Sequence, residues 1–516
     1  MIGGGIFAVL GLSLQLSDGA APIAFALAGL IALLSSYSYA KLSSRYPSEG
    51  GTIEFLVQAY GDGLLSGGLN IMLLASYIVM IALYAHAFAS YGASLVQSYY
   101  HLAYIVLAIF VVSSLTIVNM LGAKTSGRVE LALVSFKLGV LLFVSMVALG
   151  LVDWQRLSPS HYPPVTSIIA GGMIIFLAYE GFELVANAAM DVENTSVLRR
   201  ALYSSVIVVI LVYILIAIVA AGGLSPQEVQ QARDYALAIL VKPVLGMAGF
   251  ALVVAAALAS TGSAINATLY GTARMSYMVA KYGQAPRVLG KKVWRNAYEG
   301  LIIISILSLA LALGASLEAI SAAGSGGFMI IFSMVNLAAY RLRRQTGANP
   351  TITLTGTILA VAALTILILR MLQTAPDQLI VFAVLLIGSF ALEYVYRRIT
   401  GRRLPRYIDP RLEEREKLLH EYDRLLPRIA KIIKSLAKDA EVYLIGSHAR
   451  GEYWKANDID ILVATDKELP RHRREVLQRL IETELKLPRH HPIHIHYTTK
   501  DAKQEYLKKG HKKITS

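Results

Sequence analysis

Twelve apolar runs, each near the length needed to cross a bilayer, follow one another through residues 1–396. A bilayer core about 30 Å thick takes about 20 apolar residues as a helix, and a series of such runs without polar domains between them cannot all be soluble core helices. The chain is 55% hydrophobic and 16% charged, with mean hydropathy +0.55, which excludes a wholly water-soluble enzyme. The sequence therefore predicts an all-α polytopic membrane protein with about 12 transmembrane helices. The predicted spans are 1–15, 19–45, 64–96, 103–121, 127–151, 165–190, 201–223, 243–278, 300–316, 318–340, 351–370 and 376–396.

Charge separates the last part of the chain from the rest. Residues 397–516 contain 28 of the 48 Lys and Arg, and the chain has no cysteine, which excludes disulfides and thiolate metal sites. We predict a transmembrane domain over 1–396, a basic juxtamembrane linker over 397–409 and a water-facing domain over 410–516. Five arginines beside the last span are expected to meet anionic membrane lipids: Arg397, Arg398, Arg402, Arg403 and Arg406.

Loop charge predicts the orientation. If span 1 starts in the cytoplasm, the inner connections carry most of the Lys and Arg, for example Lys41, Arg199, Arg200 and Arg341, and the outer ones carry few. The positive-inside rule then indicates a multi-pass protein of the cytoplasmic membrane with its C-terminal domain in the cytoplasm.

Spans 1 and 6 carry glycines where a helix is expected. Span 1 contains Gly3, Gly4 and Gly5, and span 6 reads Phe-Leu-Ala-Tyr-Glu-Gly-Phe-Glu over 176–183. Each glycine costs a helix about 1 kcal/mol relative to alanine. Bare amides at a helix break can hold a carboxylate, and unwound carbonyls can hold an ammonium group. Two breaks five spans apart indicate an inverted repeat, although close helix packing also favours small residues.

Several motifs agree in order with one family. The glycine motif over 2–7, the Gly-Gly-Thr of 50–52, the stretch 176–200 and the Ser-Thr-Gly-Ser run that starts at Ser260 resemble the amino acid–polyamine–organocation (APC) superfamily of permeases. The resemblance extends from residue 1 to about 396. Family members usually have a half-helix before the glycine motif, whereas Met1 stands directly against it here.

The resemblance implies a LeuT-like 5+5 inverted repeat that transports amino acids without a cofactor. The substrate carboxylate would meet the amides of the three glycines, and its amino group would meet carbonyls near Phe176, Leu177 and Tyr179. Tyr179, Glu180 and Phe182 would shape the side-chain pocket or gate.

Two kinds of charge lie within the spans. A lysine at the bilayer centre costs about 2.5–3.5 kcal/mol, so Lys137 is expected to face a polar interior. It resembles the helix-5 lysine of proton-coupled APC members. Two roles are open: Lys137 could carry the coupled proton, or it could remain charged and hydrogen-bond to carbonyls of helix 1 as a structural pin. Glu180 and Glu183 either contact substrate and protons or satisfy loose amides at the break. Ser260, Thr261 and Ser263 could line the substrate or cation route or bond back to their own helix.

The C-terminal segment has a second set of motifs. A strand over 441–445 ends in Gly446 and Ser447, Arg450 follows, and Asp458 and Asp460 would share one face of the next strand. Paired carboxylates can hold Mg²⁺, and a Gly-Ser turn offers amides to phosphate. Together these residues resemble the nucleotidyltransferase (polymerase-β-like) superfamily over roughly 410–510.

That resemblance implies a small α/β domain that binds Mg²⁺ through Asp458 and Asp460 and a nucleoside triphosphate through Gly446, Ser447 and Arg450. The family generally adds a third carboxylate on a later strand, where His494 or His496 stands here. Because imidazole binds Mg²⁺ poorly, we expect nucleotide binding with little or no transfer. A transition-metal site of His490, His491, His494 and His496 is the alternative. Basic residues interleave with acids and form no aromatic ladder, so no nucleic acid is expected.

Three functions are compatible with the sequence. The first is a proton-coupled amino-acid transporter with a regulatory domain. The second is an active nucleotidyltransferase anchored by a permease-like scaffold, and the third is an amino-acid sensor that does not transport.

Overall fold

The structure, a computed structural model, describes residues 2–48, 50–121, 127–187, 189, 195–285, 292–294, 297–400, 410–449, 459–485, 487, 491–507 and 510–514. Within residues 2–400 of this part, the regular elements are helices and one short hairpin, β1 (Lys292–Trp294) and β2 (Ala297–Tyr298). The helices are α1 (Gly5–Ser17), α2 (Ala21–Arg45), α3 (Thr52–Tyr60), α4 (Leu64–Ala93), α5 (Tyr100–Met120), α6 (Gly127–Ala148), α7 (Val165–Phe176), α8 (Phe182–Asn187), α9 (Thr195–Gly223), α10 (Pro226–Gln231), α11 (Ala236–Lys281), α12 (Glu299–Gly314), α13 (Leu317–Arg341), α14 (Arg343–Thr346), α15 (Pro350–Thr374) and α16 (Pro376–Thr400).

The predicted spans are confirmed as helices. By length and apolarity, 10 helical stretches in the described part of the chain are able to cross a membrane, and Gly300–Gly314 is a shorter apolar helix. The first stretch, Gly5–Arg45, contains both α1 and α2, which a 3-10 turn at Asp18–Ala20 separates. Counted this way, each of the twelve predicted runs corresponds to a helix.

The predicted break in span 6 is present, and in span 1 the chain is non-helical over residues 2–4, which we call the first break. Residues 2–4 are not helical, and α1 begins at Gly5. In span 6, α7 ends at Phe176, a 3-10 turn covers Leu177–Tyr179, Glu180 is extended (ψ 162°), and Gly181 has φ 112° before α8 begins. Only glycine adopts this positive φ without strain, so Gly181 allows the chain to restart as a helix.

One long helix bends. Within α11, Gly246 has φ 59° and ψ −151°, three residues after Pro243, so the 46-residue element consists of two helices joined at a kink. The predicted span began at Pro243, whereas the observed helix starts at Ala236. Helix α11 packs on α4 and α6, and its part beyond the kink contains Ser260 and Ser263.

The C-terminal residues form a four-stranded sheet with helices. Its elements are α17 (Pro410–Leu436), β3 (Glu441–Ile445), α18 (Gly446–Ala449), β4 (Ile459–Thr465), α19 (Arg471–Glu484), β5 (Ile493–Thr499), α20 (Lys503–Leu507) and β6 (His511–Lys513). The strand order is β5-β4-β3-β6, with β4 and β5 parallel and the other pairs antiparallel. Helices α17 and α19 cover one face with residues such as Ile433 and Leu477. The other face has a small apolar cluster around Leu462 and Leu507. Strand β6 forms an outer edge, and its residues are exposed.

Candidate functional site

A cavity of ≈ 630 Å³ lies beside the two helix breaks. Its walls come from the start of the chain, the break in span 6, and helices α4, α6, α8, α9 and α11. Two charged side chains line it, Lys137 and Glu180, together with Gly3, Gly181 and Ser263. The remaining wall is largely aliphatic. A mostly apolar cavity with a few polar groups is the usual form of a small-molecule site.

A hydrogen bond joins the first break to α11. The Ser260 hydroxyl donates to the Gly3 carbonyl oxygen at 2.9 Å. Its neighbour Thr261 instead donates to Ala257 O of its own helix at 2.7 Å. Ser260 therefore fixes the unwound backbone of span 1, while Thr261 follows the alternative in which a hydroxyl bonds back to its helix.

Gly4 and Gly5 are required by close approach. A Cβ on Gly4 would lie 2.6 Å from Tyr84 Cδ1, and a Cβ on Gly5 would lie 2.5 Å from Ala178 Cα. Because Ala178 belongs to the turn before Glu180, the two breaks touch each other inside the bundle. Close packing thus explains why glycine stands at these two positions. The first amides of α1, like those of any helix, have no hydrogen-bond acceptor within their own helix.

The aromatic residues around the second break lie in the core. Phe176 and Phe182 pack against Phe332, with ring centroids 5.8 and 5.1 Å apart. Tyr179 donates its hydroxyl hydrogen to Phe25 O at 3.0 Å, across to α2. Leu177 is fully buried as well. Of the residues predicted to bind substrate, Gly3 and Glu180 line the cavity. The side chains of Phe176, Leu177, Tyr179 and Phe182 are instead buried in the core around the break.

The two glutamates of the break have different surroundings. The Gly181 amide donates to Glu183 Oε2 at 2.7 Å, and the Tyr77 hydroxyl donates to Glu183 Oε1 at 3.1 Å. Glu183 therefore satisfies a loose amide where α8 starts. Glu180 is 2% exposed, and within the described part of the protein neither of its carboxylate oxygens has a hydrogen-bond partner.

Lys137 is buried on α6. It is 2% exposed, and its Nζ donates to Ser263 Oγ at 3.2 Å. This bond links α6 to α11. Ser263, which the sequence suggested for a substrate or cation route, is therefore a partner of the buried lysine.

Sequence reasoning missed a buried acid in the short helix α3. Glu54 is fully buried; the Tyr282 hydroxyl donates to its Oε2, and Gln58 Nε2 donates to Oε1 at 2.7 Å. Just before α3, Gly51 has φ 44°, and a Cβ there would lie 2.0 Å from Asn187 Oδ1 at the end of α8. One feature of the sequence could have predicted this buried acid: Glu54 is the single acidic residue in the otherwise largely apolar segment 52–60.

In the C-terminal domain, one predicted metal ligand is described. Asp460 pairs with His494 in the β4–β5 register, and His496 Nε2 lies 2.9 Å from Asp460 Oδ1. Gly446 has φ 78°, and a Cβ on it would lie 2.8 Å from Asp460 Oδ2. The glycine turn and the carboxylate thus lie together, and His496 contacts Asp460.

Other predicted ligands cannot be placed. Arg450, Asp458 and His490 lie outside the described residues, as does the side chain of Ser447. His491 lies near Glu482, with Nε2 3.5 Å from Oε1. No group of three potential metal-binding side chains occurs in the residues that the structure describes.

A helical bundle with two facing helix breaks beside a charged cavity defines the class of secondary transporters. The family model "Amino acid permease" matches residues 1–390, and the model "Nucleotidyltransferase domain" matches residues 426–515. The chain belongs to the amino acid permease family and carries a nucleotidyltransferase domain at its C-terminal end.

Individual proteins are similar to this chain in sequence or in fold. The chain is 34% identical over 407 residues to protein MJ0609 of Methanocaldococcus jannaschii, covering 78% of this chain and 93% of the relative. It is 31% identical over 405 residues to the inner membrane transport protein YbaT of Escherichia coli, with the same two shares. A manganese transporter of Eremococcus coleocola has a similar fold, with TM-score 0.52 at 11% identity over 77% of this chain and 92% of that one.

Proposed function

We propose that this protein is a proton-coupled secondary active transporter of amino acids in the cytoplasmic membrane. The contact between the two breaks, Gly5 against Ala178 beside the cavity, is the observation that carries the proposal. Membership of the amino acid permease family supports the substrate class. Transporters with alternating access bind substrate at unwound helix segments. Such irregular backbone is tolerated within a membrane only where protein or a water-filled cavity surrounds it, as it does here.

The amino acid binds between the two breaks in this proposal. Its carboxylate meets the amides of Gly3, Gly4 and Gly5 at the start of α1, where the helix dipole favours an anion. Its amino group meets carbonyls near Phe176, Leu177 and Tyr179. Glu180 contributes to the side-chain pocket, and Tyr179 and Phe182 shape that pocket from the core.

Lys137 carries the coupled proton. Its position on the cavity wall and its bond to Ser263 support this role, because loss of the proton would release the ammonium contact between α6 and α11. The pH gradient thus acts on a link between two helices.

The C-terminal domain is a cytoplasmic regulator that binds a nucleotide with Mg²⁺. Gly446, Ser447 and Arg450 hold the phosphates, and Asp458 and Asp460 hold the metal. The contact of Asp460 with His496 supports binding without efficient transfer, because imidazole replaces the expected third carboxylate. Basic residues of the linker, such as Arg402 and Arg403, meet anionic lipid.

Uptake by purified protein in proteoliposomes tests the transport proposal. We expect a labelled amino acid to accumulate when the outside of the vesicles is more acidic than the inside, and to equilibrate without accumulation when an ionophore removes the gradient. Binding of an amino acid without any uptake would favour the sensor function instead.

A further inference from the structure

Of the two charged side chains that line the cavity, Glu180 is the one without a hydrogen-bond partner among the described residues. It is 2% exposed, lines the cavity wall, and within the described structure no donor reaches either of its oxygens. Burying an ionised carboxylate without a partner costs several kcal/mol, so such a group is retained for a ligand or a proton. Its near neighbour Glu183 shows the contrast, since that carboxylate is bonded to Gly181 and Tyr77.

The charges around the break favour a cationic ligand. In the described part of the chain, Lys137 and Glu180 are the charged side chains that line the cavity; Lys137 donates to Ser263, whereas Glu180 accepts no hydrogen bond. A zwitterionic amino acid brings no net charge and leaves the charge of Glu180 unpaired. A substrate with one additional positive group neutralises it. Buried charges are stabilised by pairing of this kind when the geometry allows hydrogen bonds as well.

The shape and lining of the cavity fit the same ligand. Beyond Glu180 the wall contains Leu184 and Val185 of α8, Val134 and Leu138 of α6, and Val208 of α9. A lysine or arginine side chain has a long aliphatic stem with a charged end, so it buries its stem against apolar surface and keeps its charge near a polar group. A guanidinium group can also bind a carboxylate with two parallel hydrogen bonds.

We propose that Glu180 determines specificity and selects amino acids with a cationic side chain, whose ammonium or guanidinium group it binds. The inference rests on the proposed amino-acid transport and adds the substrate class to it. Glu180 touches the substrate side chain, while the glycine amides and the carbonyls of the second break bind the α-amino acid group common to all substrates.

Pairs of matched ligands test the inference with the full-length wild-type protein. Arginine and citrulline differ in charge at nearly equal size, as do lysine and norleucine. We expect thermal-shift titrations to give at least tenfold tighter binding of arginine than of citrulline, because ligands that bind the folded state raise its stability. Equal binding of the two members of both pairs would overturn the inference and leave amino-acid transport intact. If none of the twenty amino acids stabilises the protein or is taken up, the proposed function itself fails.

A variant then assigns the selectivity to one residue. Glu180→Gln keeps the size and removes the charge, so the arginine-to-citrulline ratio is expected to fall to within twofold of unity. Glu228→Gln, at the start of α10 and away from the cavity, is the matched control and keeps the wild-type ratio. If Glu180→Gln keeps the ratio but abolishes pH-driven uptake, Glu180 carries protons and the inference is wrong. Should Glu180→Gln not fold, the wild-type ligand pairs still decide.

Discussion

The hydroxyl of Ser260 lies 2.9 Å from the Gly3 carbonyl oxygen and donates to it, which joins the middle of α11 to the unwound start of span 1. A hydrogen bond of this kind contributes about 0.5–1.5 kcal/mol net. The bond connects an element that lines the cavity with the backbone proposed to bind the substrate carboxylate. Its loss should therefore affect ligand binding more than folding.

We expect Ser260→Ala to weaken amino-acid binding by roughly two- to tenfold, the equivalent of that bond, in thermal-shift or equilibrium binding measurements. Ser276→Ala is the control, because Ser276 is buried in the same helix and donates to Ala273 O of its own helix at 2.8 Å. Equal effects of the two substitutions would indicate that Ser260 stabilises the helix and does not support the binding site.

The contact between the two breaks predicts intolerance of a methyl group at Gly5. A Cβ there would lie 2.5 Å from Ala178 Cα, and forcing extra atoms into a packed core costs about 1–3 kcal/mol or more. Gly5→Ala should lower the melting temperature and remove uptake. Gly139→Ala is the control, since a Cβ at that exposed position in α6 meets nothing within 4 Å and should be neutral or stabilise by about 0.4–1 kcal/mol.

Proton coupling at Lys137 predicts a separation of binding from accumulation. Lys137→Ala removes the titratable group and its bond to Ser263, so the variant should lose uptake driven by a pH gradient while still binding substrate. Proteoliposome uptake with and without the gradient measures this. Lys242→Ala, at an exposed position of α11, should retain accumulation. Accumulation by Lys137→Ala under a proton gradient would mean that the lysine is only structural.

The tail is expected to bind a nucleotide and to transfer it slowly or not at all. Isothermal titration of the full-length protein with ATP and Mg²⁺ measures binding, and label transfer from radioactive nucleotides measures catalysis. His496→Asp places a carboxylate next to Asp460 and should raise the transfer rate, whereas His511→Asp, at the exposed edge strand, should not. Brisk transfer by the unmodified protein would contradict the role assigned to His496, and no binding at millimolar ATP would remove nucleotide regulation.

An ion pair in the same domain predicts a pH effect on stability. The Lys503 ammonium and the Tyr443 hydroxyl donate to Glu441, which lowers the pKa of that carboxyl to about 2 from its ordinary 4.5. A lowered pKa stabilises the fold above about pH 4.5, and the contribution is lost as the pH falls toward 2. Because the pair lies near the surface, Glu441→Gln should cost under about 1 kcal/mol at pH 7.

Hydrogen exchange of β3 amides over pH 2–7 checks this prediction. The variant and the wild type should differ at neutral pH and converge near pH 2. Glu505→Gln, an exposed glutamate on α20, serves as the control and should match the wild type throughout. A difference that persists at pH 2 would show that Glu441 acts through packing.

Local chemistry in the sequence predicted most of the fold. Apolar runs near 20 residues identified the spans because a bilayer constrains helix length, and the Glu180–Gly181 pair located the second break because glycine allows positive φ. The helix α3 was missed, since its nine residues are too few to be read as a span. The Tyr282–Glu54 bond joins residues 228 positions apart, and no local pattern encodes such a contact.

The candidate sites were predicted less completely. His494 and His496 are two residues apart on one strand and share a face. The sequence therefore could not predict that the His496 side chain reaches from β5 to Asp460 on β4. Likewise Glu180 and Glu183 looked equivalent as buried acids near a break. Only the fold showed that Tyr77, from α4, bonds to one of them and leaves the other facing the cavity.

The edge strand β6 has a consequence for crowding in the membrane. Proteins held in a bilayer diffuse in two dimensions, so neighbouring copies keep their C-terminal domains at high local concentration. Under those conditions an exposed apolar edge strand would form backbone hydrogen bonds with the edge strand of the next copy. Here the edge presents His511, Lys512 and Lys513, all exposed, and pairing two such strands would set like charges against each other. Neighbouring copies of this transporter should therefore not associate through β6.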